Sequence, residues 1–125
     1  MRNISFALTT EQIRNRTKTV TRRTGWRNLK PGTLLSAVVK SQGLKKGEKV
    51  ERICTIRVVD VSVESLDRLW KEPAYGLAEI RREGFGDHPH LSVPENFVAW
   101  FAASHKCEVS ASVTRIEFEY VEGAA

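Results

Sequence analysis

A short basic segment, KTVTRRTGW at residues 18–26, combines the side chains that could bind or modify an anionic or acylated ligand. Lys18, Arg22 and Arg23 supply positive charge, and guanidinium groups bind phosphate through paired, charge-assisted hydrogen bonds. The hydroxyl of Thr21 is a potential nucleophile if a base removes its proton. Thr and Val also favour strands, so a solvent-exposed basic strand would show the same composition. The segment therefore has two interpretations, the floor of a pocket for a nucleoside or phosphate, or a surface strand.

The amine of Lys18 is the candidate base for Thr21. A lysine can accept a proton when burial or neighbouring cations lower its pKa, and Arg22 and Arg23 are close in sequence. In an ideal strand, however, Lys18 and Thr21 would face opposite sides. We expect the two side chains to meet only if Lys18 lies at a bend between a helix and the strand.

Charge is distributed unevenly along the chain. The formal net charge is +5, and residues 12–47 contain ten Lys and Arg but no Asp or Glu. A one-sided positive field attracts polyanions such as RNA or DNA by neutralising their phosphates. A basic surface without a partner is the alternative interpretation.

Length and composition indicate one domain over residues 1–125. A hydrophobic fraction of 41% is typical of a globular chain and argues against disorder. No apolar run approaches the roughly 20 residues that a membrane span needs, and the N-terminal apolar stretch is too short for a signal peptide. Cys54 and Cys107 are far apart, which favours reduced thiols over a disulfide. We expect a cytoplasmic protein without a membrane partner.

The first half of the chain predicts strands interrupted by one short helix. The capping-box pattern of Thr9 and Gln12 predicts where this helix begins. The longest strand has apolar residues on both faces, which predicts a central, well-buried position. The predicted elements are a strand at ISFAL (4–8), a helix from Thr9 to about Arg16, and strands at TVTRR (19–23), TLLSAVVK (33–40) and VERICTIRVVDVSVESL (50–66).

The second half predicts three helices and a final strand. Ser65 is expected to cap the first helix, and Gly84 to end the second, in which Leu77 and Ile80 face inward. A capping box at Ser92 and Glu95 predicts the start of the third. The inward residues of this third helix are expected to be Phe97, Trp100 and Phe101. The final strand, VTRIEFEYVE (113–122), alternates, so Ile116, Phe118 and Tyr120 are expected to face inward and Arg115, Glu117 and Glu119 outward.

The order of several short motifs resembles the ASCH domain of the PUA-like superfamily, in its small single-domain bacterial and phage form. The motifs are RTKTVTRR, LKPGTLL, CTIRVVDVSVESL, REGF, PENFVAWF and VTRIEFEYV. The resemblance implies an α+β fold, a mostly antiparallel PUA-like β-barrel with flanking helices and a cleft beside the first helix. Family members are associated with RNA binding, and ribonuclease activity has been proposed for some. One branch consists of amidohydrolases that remove the acyl group from N4-acetylcytidine.

The resemblance also implies a catalytic set. In the amidohydrolase branch a Lys, a Thr three residues later and a downstream Glu act together, and these positions correspond here to Lys18, Thr21 and Glu83. Glu79, one helical turn before Glu83, is the alternative acid. The chain is longer than those enzymes in the loop SQGLKKGEK (41–49) and around GFGDHPHL (84–91).

Five further residues are expected to contact RNA or a nucleoside, namely Arg16, Arg22, Arg23, Trp26 and Tyr75. Arg22 and Arg23 could instead pair with Glu117 or Glu119 across the sheet. Trp26 could stack on a base or cover the end of the barrel, whereas Trp70 and Trp100 are expected in the core.

No metal or cofactor is expected from the sequence. His88 and His90 have only Asp87 beside them and lack a third ligand at a usual spacing. No phosphate-binding loop or dinucleotide fingerprint is present. The sequence thus predicts recognition of RNA or a nucleoside in a basic cleft, with possible hydrolysis of an N-acyl-cytidine-type amide. The alternatives are a non-catalytic RNA-binding module and a phage-derived protein-interaction domain.

Overall fold

Five strands and four helices make up the part of the chain that the structure, a computed structural model, describes, residues 1–121. Glu122, the last residue of the predicted final strand, lies outside the described residues. The elements are, in order, β1 (Arg2–Ser5), α1 (Thr10–Arg14), β2 (Val20–Arg23), β3 (Leu34–Val38), β4 (Arg52–Ser65), α2 (Arg68–Lys71), α3 (Pro73–Arg82), α4 (Pro94–His105) and β5 (Ser112–Tyr120). The predicted α+β class is confirmed.

The strands form one curled sheet in the order β1-β3-β4-β5-β2. β1 pairs in parallel with β3, whereas the other three pairs of neighbours are antiparallel. Because β1 and β2 lie at the two edges, the sheet is a half-barrel with one open side. The site described below lies at this open side.

β4 is the central strand, as predicted, and contributes 14 residues to the sheet. It is buried only in its first half, at Thr55, Ile56 and Val58. A bulge between Val58 and Asp60 follows, and Val59 and Val63 beyond it are exposed. The predicted burial therefore holds for the first half of β4 only, because the second half has one face in solvent.

The concave side of the half-barrel holds one hydrophobic cluster, here called the barrel cluster. Successive side chains of a strand face opposite sides, so alternate apolar residues of each strand reach this interior. Ile116 and Phe118 of β5 are both buried there, as predicted. The members are Ile4, Phe6, Ile13, Leu35, Ala37, Ile56, Val58, Ile116 and Phe118.

A second hydrophobic cluster, here called the helical cluster, lies among α2, α3, α4 and the ends of β4 and β5. Phe97 and Phe101 are buried in it as predicted, and Trp100 packs against it while partly exposed. Leu77 and Trp70 were expected to face inward but are 51% and 42% exposed. The helices approach closely at Gly76, where a Cβ would lie 1.8 Å from the carbonyl oxygen of Leu69.

The side-chain hydrogen bonds predicted to cap the N-termini of three helices are not made. Neither Thr9 before α1 nor Val93 before α4 makes a side-chain capping hydrogen bond. α4 begins at Pro94, whose ring already fixes the φ angle that a first helical turn requires. Ser65 does not cap α2, because its hydroxyl donates to the Asp67 carboxylate at 2.6 Å.

The two cysteines, Cys54 and Cys107, are free thiols that are each partly buried. Burial raises the pKa of the Cys54 thiol above its ordinary value, although Arg16 and Arg52 oppose this.

Within residues 1–121, every helix is too short or too polar to cross a membrane.

Candidate functional site

A cavity of about 170 Å³, here called the first cavity, lies where β1, β2 and the second half of α4 meet. Its polar lining comes mainly from residues on or near β2 and from the residue that follows α3. Its apolar lining is aromatic and comes mainly from α4 and the segment before it. The polar side chains include Lys18, Thr21, Arg22, Arg23 and Glu83, together with Ser5, Thr9 and His105, and the apolar aromatic residues are Phe6, Phe85, Phe97, Trp100 and Phe101.

Lys18 lies between α1 and β2 and is 2% exposed. This is the position between helix and strand that was expected to let its side chain lie on the same side as Thr21. Its Nζ donates to the carbonyl oxygen of Glu83 at 2.7 Å and to Glu83 Oε1 at 3.0 Å. Burial lowers the pKa of Lys18 below its ordinary value of 10.5. The charge of Glu83 opposes this shift, and the charges of Arg23 and Arg22 reinforce it.

The two acceptors of Glu83 determine what the Lys18 nitrogen can do. A charged ammonium has three protons, and two of them are directed at Glu83. The third position carries a proton in the ammonium and the lone pair in the neutral amine. A buried amine with a lowered pKa, held in this way, suits proton transfer with a group in the cavity.

Thr21 is 4% exposed and contacts a second cation. The Nε–H of Arg23 donates to Thr21 Oγ1 at 3.2 Å. A hydroxyl that accepts from a guanidinium loses its proton more readily, because the positive charge stabilises the resulting oxyanion. Arg23 also donates from Nη2 to the carbonyl oxygen of Ser5 at 2.7 Å, which joins the two edge strands across the open side.

Arg22 lies beneath the first cavity with its side chain fully buried. Its Nη1 donates to Glu83 Oε2 at 2.9 Å, so the Glu83 carboxylate is held between Arg22 and Lys18. Its Nη2 donates to Glu79 Oε1 at 2.6 Å and to Glu64 Oε2 at 3.0 Å. These donors are directed at carboxylates and not toward an external phosphate. The alternative pairing with Glu117 or Glu119 was also wrong for Arg22.

Glu79 completes the charged group from α3. Arg115 of β5 donates to both of its carboxylate oxygens, through Nε and, at 3.1 Å, through Nη2. Burial raises the pKa of Glu79, but hydrogen bonds from Arg115 and Arg22 outweigh it and lower the pKa below its ordinary value of 4.5. Glu79 does not line the first cavity, whereas Glu83 does. We call the six charged residues Lys18, Arg22, Arg115, Glu64, Glu79 and Glu83 the ion-pair network.

Aromatic rings form the apolar wall of the first cavity. Phe97 contacts Phe85 and Trp100 with ring centroids 5.8 and 5.7 Å apart, in tilted geometry. His105 stacks on Phe101 with centroids 3.9 Å apart at the edge of the cavity. Such walls accept a flat ring through stacking and edge contacts.

Solved structures with the architecture of this chain include the following two. One is the ASCH domain from Lactobacillus crispatus JV V101, with a TM-score of 0.54 and 15% identity, covering 95% of this chain and 78% of that chain. The chain has the ASCH fold. The other is a DUF984 protein from Enterococcus faecalis V583, with a TM-score of 0.57 and 14% identity, covering 90% of this chain and 66% of that chain. No protein-family model and no curated protein matches the sequence.

Three residues predicted to bind the ligand lie outside the first cavity of this ASCH fold. Trp26 has a φ of 65° and lines a neighbouring depression, with the Arg2 guanidinium 3.9 Å from its ring centroid. The Arg16 guanidinium lies 5.5 Å from the ring centroid of Tyr120. Tyr75 donates to Glu64 Oε1 at 2.6 Å, and burial together with Glu64 raises its pKa to about 12.

Sequence reasoning missed two charged members of the site, Glu64 and Arg115. Arg115 was assigned to the outward face of β5, which is correct for the strand, but α3 covers that face in the ASCH fold. The available signal was the spacing of Glu79 and Glu83, one helical turn apart. Two acids on one helical face need buried cations if that face packs on a sheet.

Proposed function

We propose that this ASCH-fold domain binds a nucleobase-type ring in the first cavity and hydrolyses an N-acyl amide on that ring, of the N4-acylcytidine type. The observation that carries the proposal is the convergence of Lys18, Thr21 and Glu83 in one cavity that also has an aromatic wall. A buried amine with a lowered pKa in a cavity, as at Lys18, is typical of catalytic sites.

The volume of the first cavity favours a ligand with one ring. A dry cavity of about 150 Å³ holds benzene, and sites for drug-sized ligands occupy about 300–1,000 Å³. The first cavity, at about 170 Å³, is close to the lower of these volumes. A pyrimidine therefore fits, with its polar edge toward Lys18 and Thr21 and its faces toward the aromatic wall.

In the first half of the proposed reaction Thr21 attacks the amide. The neutral amine of Lys18 takes the hydroxyl proton as Oγ1 bonds to the acyl carbon. Arg23, already a donor to Oγ1, stabilises the partial negative charge on this oxygen as its proton leaves, before the charge passes to the acyl carbonyl oxygen. The tetrahedral intermediate, with its negative charge on the former carbonyl oxygen, then collapses: the C–N bond breaks, and the Lys18 ammonium gives its proton to the departing exocyclic amino nitrogen. The acyl group is left as an ester on Thr21.

In the second half water removes the acyl group. Lys18 accepts a proton from water as the water oxygen bonds to the ester carbon. The bond to Thr21 breaks, and the threonine oxygen regains a proton from Lys18, which releases the free acid. Glu83 accepts hydrogen bonds from Lys18 throughout, so its charge stabilises each ammonium intermediate.

The test is to incubate the purified protein with N4-acetylcytidine and to follow cytidine release by chromatography. Release should vanish in Thr21→Ala and persist in Thr17→Ala, an exposed threonine of the same segment that lies outside the first cavity. Circular dichroism must show that both variants are folded. Absence of release from the folded wild-type protein would overturn the hydrolase proposal.

Binding of RNA without catalysis is the second candidate function. It is favoured by a separate surface depression on another side of Trp26, where the cations Arg2, Arg27 and Lys30 lie. Cations that contact phosphate make affinity fall with salt. If RNA lies here, Arg27→Ala should reduce the logarithmic salt slope by about 1. The control Arg81→Ala, an exposed cation on α3, should leave the slope unchanged.

A further inference from the structure

The proposed reaction places a negative charge on an oxygen to which the cations of the site are not directed. In the tetrahedral intermediate this charge lies on the former carbonyl oxygen, and hydrolases direct hydrogen-bond donors at that position. Arg22 already donates to three carboxylates. Arg23 donates to Thr21 Oγ1 and to the carbonyl oxygen of Ser5. Since Lys18 carries the transferred proton, the remaining polar side chains of the first cavity are the candidate donors.

Three such side chains line the first cavity, and Thr9 is the most deeply buried of them. His105 directs Nδ1 at the carbonyl oxygen of Phe101 at 3.0 Å, so Nδ1 carries the proton and Nε2 of the neutral ring can only accept. Ser5 is partly buried and also lines a neighbouring depression. Thr9 is 5% exposed. Its hydroxyl is therefore the best-placed donor inside the cavity.

The Thr9 hydroxyl is free of protein partners. A threonine directly before a helix usually accepts a hydrogen bond from an N–H of the first turn. Thr9, which precedes α1, makes no such bond, and within residues 1–121 its hydroxyl has no other protein partner. Among those residues, Thr114 Oγ1 is the one buried side-chain oxygen or nitrogen closed off from solvent without a partner. The Thr9 hydroxyl therefore reaches open space, and this residue lines the first cavity.

The turn that carries Thr9 lies beside the reacting groups. It comprises residues 6–9 and is closed by the Thr9 N–H, which donates to the carbonyl oxygen of Phe6 at 3.1 Å. The ring centroid of Phe6 lies 6.0 Å from Lys18 Nζ and 5.0 Å from Cζ of Arg23. The turn therefore adjoins both the proposed base and the cation that contacts the proposed nucleophile.

We propose that the turn at residues 6–9 binds the oxyanion of the tetrahedral intermediate, with the Thr9 hydroxyl as its side-chain donor. This assignment rests on the proposed function. The N–H groups of Ala7 and Leu8 donate to no described protein acceptor, and both residues line the first cavity, so they add main-chain donors. Thr9 is thus a further catalytic residue, which donates a hydrogen bond to the former carbonyl oxygen and keeps its own proton.

The first test is the kinetics of Thr9→Val, which keeps the branched shape of the side chain and removes the hydroxyl. Because the oxyanion exists only after attack, kcat with N4-acetylcytidine should fall about 100-fold while KM changes little. Thr9→Ser, which restores a hydroxyl, should recover most of kcat. The matched control is Thr10→Val. The Thr10 hydroxyl donates to the carbonyl oxygen of Phe6 at 2.8 Å but lies outside the first cavity, so kcat should stay near the wild-type value.

Two kinetic results would overturn the role of Thr9. One is an unchanged kcat in Thr9→Val. The other is an equal loss in Thr9→Val and Thr10→Val, which would show that both residues act only by holding the turn. Because the wild-type protein would still hydrolyse the amide in either case, the proposed function would stand.

Binding of an anionic analogue separates the two proposals, because it needs no turnover. The probe is N4-(methylphosphonyl)cytidine, in which a tetrahedral phosphorus with a negatively charged oxygen replaces the acyl carbon. Calorimetry should show about 10- to 100-fold weaker binding to Thr9→Val, as expected for loss of a hydrogen bond to a charged group. The same loss in a protein that hydrolyses no acylated ligand would support the Thr9 site and contradict the proposed reaction. Equal affinity of the two proteins, or no binding by either, would overturn the Thr9 site.

Discussion

At the scale of single residues, Lys18 sets the protonation of the site. The ion-pair network has three cations and three carboxylates, so it is neutral when Lys18 is charged. Loss of the Lys18 proton leaves one negative charge in this network, close to the Arg23 guanidinium that also lines the first cavity. Burial of the amine and the charges of Arg23 and Arg22 favour this loss, and Glu83 opposes it. The proposed reaction depends on this balance, because in it Lys18 must accept and return a proton.

The pH dependence of hydrolysis should report the Lys18 amine. Because the neutral amine is the proposed base, kcat/KM should rise with pH and level off below 10.5, the ordinary pKa of lysine. Lys18→Met, which keeps an apolar chain of similar length, should lose about 100- to 10,000-fold in activity and this rising limb. Steady-state rates across a pH series measure both effects. A wild-type rate independent of pH would contradict the assignment of Lys18 as base.

Glu79 should stabilise the folded protein near neutral pH and lose this effect in acid. Its folded-state pKa lies below the ordinary 4.5, so its contribution is complete above 4.5 and is lost as pH falls through the folded value. Glu79→Gln should lower the free energy of unfolding by about 3 kcal/mol near neutral pH, because Arg22 and Arg115 lose a buried partner. Urea unfolding at several pH values measures this, and the difference from wild type should narrow in acid.

The control for Glu79 is Glu72→Gln, which removes an exposed carboxylate paired with Arg68. Exposed pairs contribute about 0–1 kcal/mol, so this variant should differ little from wild type at any pH. Equal losses in the two variants would contradict the structural role assigned to Glu79.

At the scale of elements, the end of α3 positions the acid of the site. Gly84 follows Glu83 with a φ of 94°, which L side chains adopt at a cost. A Cβ at Gly84 would lie 2.9 Å from Cγ of Gln12 and 3.5 Å from Cβ of Lys18. The glycine therefore lets the carboxyl end of α3 approach α1 closely enough for Lys18 to reach Glu83.

Gly84→Ala should lower both stability and activity. The left-handed backbone alone costs about 1–2 kcal/mol for an alanine, and displacement from Gln12 should lengthen the contact of Lys18 with Glu83. Thermal unfolding and the hydrolysis assay measure the two effects. Gly25→Ala is the control, because its Cβ would meet nothing within 4 Å. A silent Gly84→Ala would show that the approach of α3 does not depend on this glycine.

Local patterns predicted which elements form, and in several cases which face is buried. The alternation of β5 gave Ile116 and Phe118 as buried, and Gly84 was correctly predicted to follow α3. These features depend on residues that are neighbours in the sequence, so they can be predicted from the sequence alone. The predicted Lys18, Thr21 and Glu83 all line one cavity, although their catalytic role stays a prediction.

Features that depend on packing between distant segments were not predictable from the sequence. Arg115 is buried because α3 lies over β5, and Leu77 is exposed because the same helix presents its other side to solvent. Trp26, predicted either to stack on a base or to cover the end of the barrel, lines a neighbouring cavity and not the first one. In each case the outcome depends on tertiary contacts that no local spacing encodes.

At the scale of the whole molecule, the ion-pair network connects the two hydrophobic clusters. Arg22 belongs to β2, Arg115 to β5 and Glu64 to β4, whereas Glu79 belongs to α3. Separating the helices from the sheet would break the pairs of Glu79 with Arg22 and Arg115, although Arg22 would keep Glu64. Each buried ion left without its partner costs several kcal/mol. The barrel cluster and the helical cluster should therefore unfold together.

Two tryptophans allow this cooperativity to be measured. Trp26 packs against the barrel cluster and Trp100 against the helical cluster, while Trp70 is exposed. Proteins that keep only Trp26 or only Trp100, with Phe at the other two positions, should show the same urea midpoint by fluorescence. Far-UV circular dichroism should give that midpoint in each protein. Separate midpoints would show that the clusters unfold independently.

The order of the strands also fixes when the first cavity can form during synthesis. β2 carries Thr21, and its only partner strand in the described sheet is β5. Ribosomes make the chain from its N-terminus at about 5–20 residues per second, so β2 emerges well before β5. Until β5 has emerged, β2 has no strand to pair with, and Glu79, to which Arg22 donates, lacks its second cation Arg115. The residues of the site that are translated first are thus among the last to reach their final positions.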